Sequence, residues 1–157
     1  MHRVVLLSCL TVLACGRSEN RAASDTAAGA VAASATAASQ PISLTDVAGR
    51  WTVRAVRETG DTTPILSQLN AGGDTSGWTT TLPNRPPTAT RVIAVAGDSI
   101  VTENGPYESV LRKGVQVTTR SVMRLRDDKL VGYTVAHYAA AGADSVLRLR
   151  TEATRTP

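Results

Sequence analysis

Catalysis near neutral pH needs nucleophiles, bases or metal ligands within reach of one another, and this chain holds few of them. Its only histidines are His2 and His137, and its only cysteines are Cys9 and Cys15. Ser121, His137 and Asp144 are the residue types of a nucleophile, a base and an orienting acid. No nucleophile-elbow motif flanks any serine, however, so nothing local marks a triad. One histidine in the body of the chain and no carboxylates at ligand spacing argue against a metal centre. Asp127-Asp128 reads better as a hairpin turn, and no glycine-rich phosphate loop is present. The chain is expected to be non-catalytic, without metal or cofactor.

Cys15 is different, because its surroundings give it a role. Arg3 supplies a positive tip, and Val4–Ala14 is an almost wholly apolar run of eleven residues. That is well short of the ~20 residues a helix needs to cross a bilayer. Charge, a short apolar run and a small residue at its end form a secretory leader. Cys9 would leave with the leader, so the exported chain would keep one cysteine and could form no internal disulfide.

Val12-Leu13-Ala14-Cys15 resembles the lipobox of bacterial lipoproteins, with Leu13 bulkier than usual at its position. The resemblance implies cleavage before Cys15 and lipid attachment to it. Two or more acyl chains would anchor the protein stably to a membrane. Gly16 stands where an Asp would retain such a protein at the inner membrane, so the resemblance favours the periplasmic face of the outer membrane. Residues 1–14 are therefore expected to be the signal peptide.

Residues 15–41 follow as lipidated cysteine and linker. Ten of the 25 residues from Gly16 to Gln40 are alanine, most others are Ser, Thr or Gly, and only Val31 is large and apolar. Such a segment cannot offset its own ordering entropy. As a flexible coil it spans about 25–30 Å.

Residues 42–157 suit one domain with a real core. Val and Thr abound, and alternating runs recur between Pro and Gly punctuation. Strands are expected at Arg50–Arg57, Ile65–Leu69, Gly77–Leu82, Thr88–Ala96, Ser99–Glu103, Val115–Arg126, Lys129–Tyr138 and Ser145–Arg155. Short connections favour antiparallel neighbours. The expected fold is all-β, a single up-and-down antiparallel barrel of about eight strands. Closure removes the bare edges that an open meander would leave; a sandwich is the alternative.

Alternation also predicts facing. Leu147, Leu149, Thr151 and Ala153 should point inward on the last strand, as should Met123 and Leu125 on the sixth. On Lys129–Tyr138 the bulkier face, with Val131, Tyr133, Val135 and His137, is expected inward. Gly49-Arg50-Trp51 resembles the G-x-W signature of the lipocalin and avidin group of barrels. That resemblance implies that Trp51 closes the barrel floor under a late arginine, Arg155 or failing it Arg150.

An eight-stranded barrel is either filled by side chains or holds one small ligand. With no Phe, two Trp and three Tyr, small inward residues would fill it poorly. The segment from Asn104 to Gly114 reads as a mouth loop, where Tyr107, Glu108, Arg112 and Lys113 would supply polar contacts. Tyr133 and His137 would line the interior. The leading expectation is non-catalytic binding of a small hydrophobic or amphipathic molecule; the alternative is an envelope scaffold or interaction module with a filled barrel. Seventeen Lys and Arg, Arg3 among them, stand against thirteen Asp and Glu. Arg120, Arg124, Arg126, Arg148 and Arg150 would form an outward basic stripe, either a solvated face or a contact for anionic head groups. Nucleic acid is not expected, since the stacking aromatics of single-strand binders are missing.

Overall fold

A computed structural model describes residues 41–140, 142 and 145–157. The leader, Cys15, the linker up to Gln40 and Asp144 lie outside the described residues. A short helix, α1 (Leu44–Val47), precedes eight strands: β1 (Gly49–Arg57), β2 (Ile65–Ala71), β3 (Thr79–Thr81), β4 (Thr88–Ala96), β5 (Ser99–Glu108), β6 (Gln116–Arg126), β7 (Lys129–Tyr138) and β8 (Val146–Arg155). Each strand pairs antiparallel with the next, and β8 returns to β1, so the sheet closes as an up-and-down barrel. The closing seam runs from Trp51 opposite Arg155 to Arg57 opposite Leu149. Closure leaves the sheet with no first or last strand, although the short β3 pairs with only Gln68–Asn70 of β2 and with Thr88 and Ala89 of β4.

Two tight turns set the registers of the hairpins they join. Gly97-Asp98 links Ala96 to Ser99, which pair directly. Asp127-Asp128 links Arg126 to Lys129, with both aspartates at positive φ, 48° and 58°. Two such residues give a turn whose twist matches that of the strands, and Asp tolerates the left-handed region better than most side chains.

Three elements differ from the sequence expectation. β3 is only three residues long, and Trp78 sits buried just before it. Its indole Nε1 donates to the Asp74 carbonyl at 2.7 Å, which folds the preceding loop back over the ring. β5 runs past Glu103 to Glu108, because Asn104-Gly105-Pro106 forms a bulge in the strand. Pairing stops after Asn104–Thr119 and resumes at Tyr107–Val117. Gly105 has φ +114°, and a Cβ there would lie 2.7 Å from the Val117 carbonyl oxygen. Turn-type residues therefore serve a bulge, and Tyr107 and Glu108 belong to a strand.

The third difference is the facing of β7. Leu130, Thr134, Ala136 and Tyr138 are buried, while Tyr133 and His137 are exposed. The Asp127-Asp128 turn pairs Leu130 with Leu125, and β8 sets Leu130 against Ala153 and Thr134 against Leu149. Register fixes the face, and bulk does not. At Gly132 an added Cβ would lie 1.9 Å from the Val122 carbonyl oxygen, so β6 and β7 approach too closely there for any side chain. The expected facing of β8 and β6 holds: Leu149, Thr151, Ala153 and Met123 are buried.

The core divides into two apolar clusters. One packs Trp51, Leu69, Trp78, Ile100, Met123 and Leu130 with Val47 from α1. Ser43 caps that helix, its hydroxyl accepting from the Thr45 amide at 3.3 Å. The other gathers Val117, Ala136, Tyr138 and Leu149, with Tyr107 and Leu147 against them.

Candidate functional site

Between the two clusters the inward positions are hydroxyl-bearing. On one arc of the wall, the Asn104 side-chain amide donates to Thr90 Oγ1 at 2.7 Å. Thr90 Oγ1 in turn lies 2.8 Å from Thr80 Oγ1. On the other arc, Ser121 Oγ lies 2.7 Å from Thr134 Oγ1, which is 2.8 Å from Thr151 Oγ1. Thr90, Thr102, Asn104, Thr134 and Thr151 are all buried. Buried hydroxyls without partners are costly, and within each chain the members bond to one another across strand boundaries.

This belt borders a cavity of about 110 Å³ in the barrel. Six threonines, three serines and Asn104 line it, together with apolar residues and the rings of Tyr107 and Tyr138. Every side chain in that lining is uncharged. The cavity reaches the second apolar cluster and ends under Ser109, Val110 and Leu111. Val110 is exposed, which makes this end the mouth.

The mouth segment Ser109–Gly114 is tied to itself and to the barrel. Ser109 Oγ accepts from the amides of Leu111 at 3.0 Å and Arg112 at 3.1 Å. Ser109 N donates to the Val115 carbonyl at 2.8 Å, and Gly114 N donates to Glu108 Oε1 at 2.9 Å. Arg85, from the β3–β4 connection, donates to the Glu108 carbonyl. Burial pushes the Tyr107 phenol above its usual range; Tyr138 adds to the rise, while a hydrogen bond with Thr119 and the Arg85 charge oppose it.

The expected site residues separate into three groups. Tyr107 lines the cavity. Arg112 stacks over the Tyr138 ring at 4.1 Å and covers the rim, while Glu108 and Lys113 are exposed beside it. Tyr133 and His137 face outward, a correction that follows from the β7 register; Arg148 covers the Tyr133 ring at 4.8 Å on the outer wall. His137 thus lies on the face opposite Ser121, which points inward to Thr134.

At the opposite end, the Arg155 guanidinium lies 4.4 Å from the centre of the Trp51 ring. Arg155 Nη1 donates to the Ala48 carbonyl at 2.9 Å, and Nη2 donates to the Asp46 carbonyl. Trp51 Nε1 donates to the Val47 carbonyl at 2.8 Å. Arg150 is an outward residue of β8, away from this ring.

The outer arginines are partly neutralised. Asp98 pairs with both Arg124 at 3.0 Å and Arg126 at 2.6 Å, and Glu58 pairs with Arg148 at 3.4 Å. Three of the five arginines of the expected basic stripe, Arg124, Arg126 and Arg148, thus sit in exposed local ion pairs, each of small energetic weight. Among the described residues no group of three His, Cys, Asp or Glu side chains is placed to hold a metal ion.

Sequence reasoning singled out none of Thr90, Thr102, Thr134 and Tyr138, which line the cavity, and it placed Thr151 inward and Asn104 in the mouth segment without joining either to a belt. Their signal was hydroxyl residues at alternate positions of neighbouring strands, which reads as ordinary β propensity until the registers are known. No family model, no curated protein and no solved structure matches this chain.

Proposed function

We propose that this is a lipid-anchored protein of the bacterial cell envelope whose barrel binds a small hydrophobic or amphipathic molecule without transforming it. The observation that carries the reading is the cavity of about 110 Å³ with an apolar, exposed mouth and an uncharged wall. A barrel serving only as a scaffold gains nothing from an underfilled interior, since each void forfeits packing. The absence of a catalytic role is supported by His137 and Ser121 lying on opposite faces of the wall. Kinship with lipocalin-like barrels is supported by Arg155 over Trp51 of the Gly49-Arg50-Trp51 stretch. The leader and Cys15 support attachment at the periplasmic face of the outer membrane.

Mature full-length protein purified from its native envelope should release a discrete small molecule when native and denaturing mass spectra are compared. A spectrum that stays empty after incubation with envelope lipids would shift the reading to a scaffold that works through its outer surface. The anchor is tested separately. Cys15→Ala should move the protein from the membrane pellet to the soluble fraction, and a variant that still sediments with membranes would overturn lipidation at that residue.

A further inference from the structure

We infer that the barrel selects an uncharged molecule and takes it head first, with a compact hydrogen-bonding group at the hydroxyl belt and an apolar tail at the mouth. This rests on reading the barrel as a carrier and names the class of molecule carried. No charged side chain lines the cavity. Arg85 and Arg112 are engaged at the rim, on the Glu108 carbonyl and the Tyr138 ring. A carboxylate or ammonium drawn into the belt would lose its hydration with no counter-charge to replace it, which is strongly disfavoured.

The Thr80–Thr90–Asn104 chain holds two hydroxyl protons, and the single contact between the hydroxyls uses one of them. The Ser121–Thr134–Thr151 chain holds three, and its two contacts use two. The contacts within each chain therefore leave one of its hydroxyl protons unused. In a closed eight-stranded barrel β4 stands across from β8, so the two spare donors come from opposite arcs of the wall. A neutral carbonyl, amide or hydroxyl oxygen can accept from them, and the same hydroxyls can accept from an amide or alcohol proton.

Below the belt the Trp51 cluster is packed and buried. Above it lie Val117, Ala136, Leu149 and the exposed Val110. A tail directed at the floor would meet a filled core, whereas a tail directed at the mouth meets apolar side chains and an exit. An engineered void of about 150 Å³ takes up benzene, so the enclosed space suits a head of a few non-hydrogen atoms.

The test uses the full-length protein and a chain-matched probe set: 1-hexanol, hexanamide, hexanoate and hexylammonium, titrated calorimetrically at pH 7. Hexanol and hexanamide should bind at least about tenfold tighter than either ion. Hexanoic acid should regain binding below about pH 4, where its carboxyl is protonated. Thr134→Val, which keeps the volume and removes the shared hydroxyl, should weaken hexanamide several-fold. Should that variant fail to fold, the pH series on the unaltered protein decides the question alone. Equal binding of neutral and charged probes would overturn the selectivity and leave the carrier reading standing. Binding by none of the four would overturn both.

Discussion

The two ends of this barrel solve the same packing problem in opposite ways. At the floor, Trp51 and Trp78 are almost wholly buried, and each indole nitrogen is satisfied by a backbone carbonyl four residues earlier. Arg155 seals the Trp51 ring from outside and ties α1 to the last strand through two carbonyls. In the middle the inward residues shrink mostly to Thr and Ser, the mouth adds Ala, Val, Leu and two tyrosines, and a cavity remains. Two packed indoles close one end, whereas the other keeps a cavity that the rings of Tyr107 and Tyr138 line without filling. Stability is concentrated where the chain starts and finishes its circuit, so the open end can afford looser packing.

The largest effect that would test this contrast is at the floor. Trp51→Ala should destabilise the domain by about 3–5 kcal/mol, the range for removing a buried aromatic. Its measurement is a urea unfolding curve of the variant against the parent. A loss below ~1 kcal/mol would mean that the floor is not the stable half and would remove the contrast.

At the belt the expected effect is smaller. Thr134→Val removes a hydroxyl that bridges Ser121 and Thr151 while keeping the shape of the side chain. Both neighbours face the cavity, where water can replace the lost partner, so the cost should stay at or below ~1 kcal/mol. The same unfolding experiment reads it. A loss comparable to that of Trp51→Ala would show the belt to be a dry structural network, with nothing to spare for a bound molecule.

How much of this was legible beforehand follows from what fixes each feature. Strand positions were readable because Gly97-Asp98 and Asp127-Asp128 interrupt long alternating runs, and a two-residue turn leaves one register. Closure was readable from the cost of bare edges. The facing of β7 was not, because its two faces are nearly equal in hydrophobicity and only pairing with Leu125 and Ala153 decides between them. The bulge at Asn104–Tyr107 was hidden because Asn-Gly-Pro is also a turn sequence. The belt was hidden more deeply still: Thr90, Asn104, Thr134 and Thr151 come from four strands, and only the combined registers bring them to one level. Tyr107 was assigned to the mouth for its place in a supposed loop, and it reaches the cavity from a strand.

The finest test of the open end concerns that tyrosine. Burial is the leading cause that raises the Tyr107 phenol above its usual range. In the unfolded chain a tyrosine ionises near pH 10. Between that pH and the higher folded value, the unfolded state binds fewer protons than the native state, so stability falls as pH rises. Below about pH 10 both states keep the proton and this residue adds no pH dependence. Tyr107→Phe should therefore leave the melting temperature at pH 8 nearly unchanged and make its decline above pH 10 shallower than in the parent. The effect is the smallest of the three, yet it reports directly on the mouth. An equally steep decline in both proteins would mean that Tyr107 ionises freely, as a water-exposed phenol does. The Ser109–Gly114 segment would then not roof the cavity, and the barrel would open to solvent as far down as the belt.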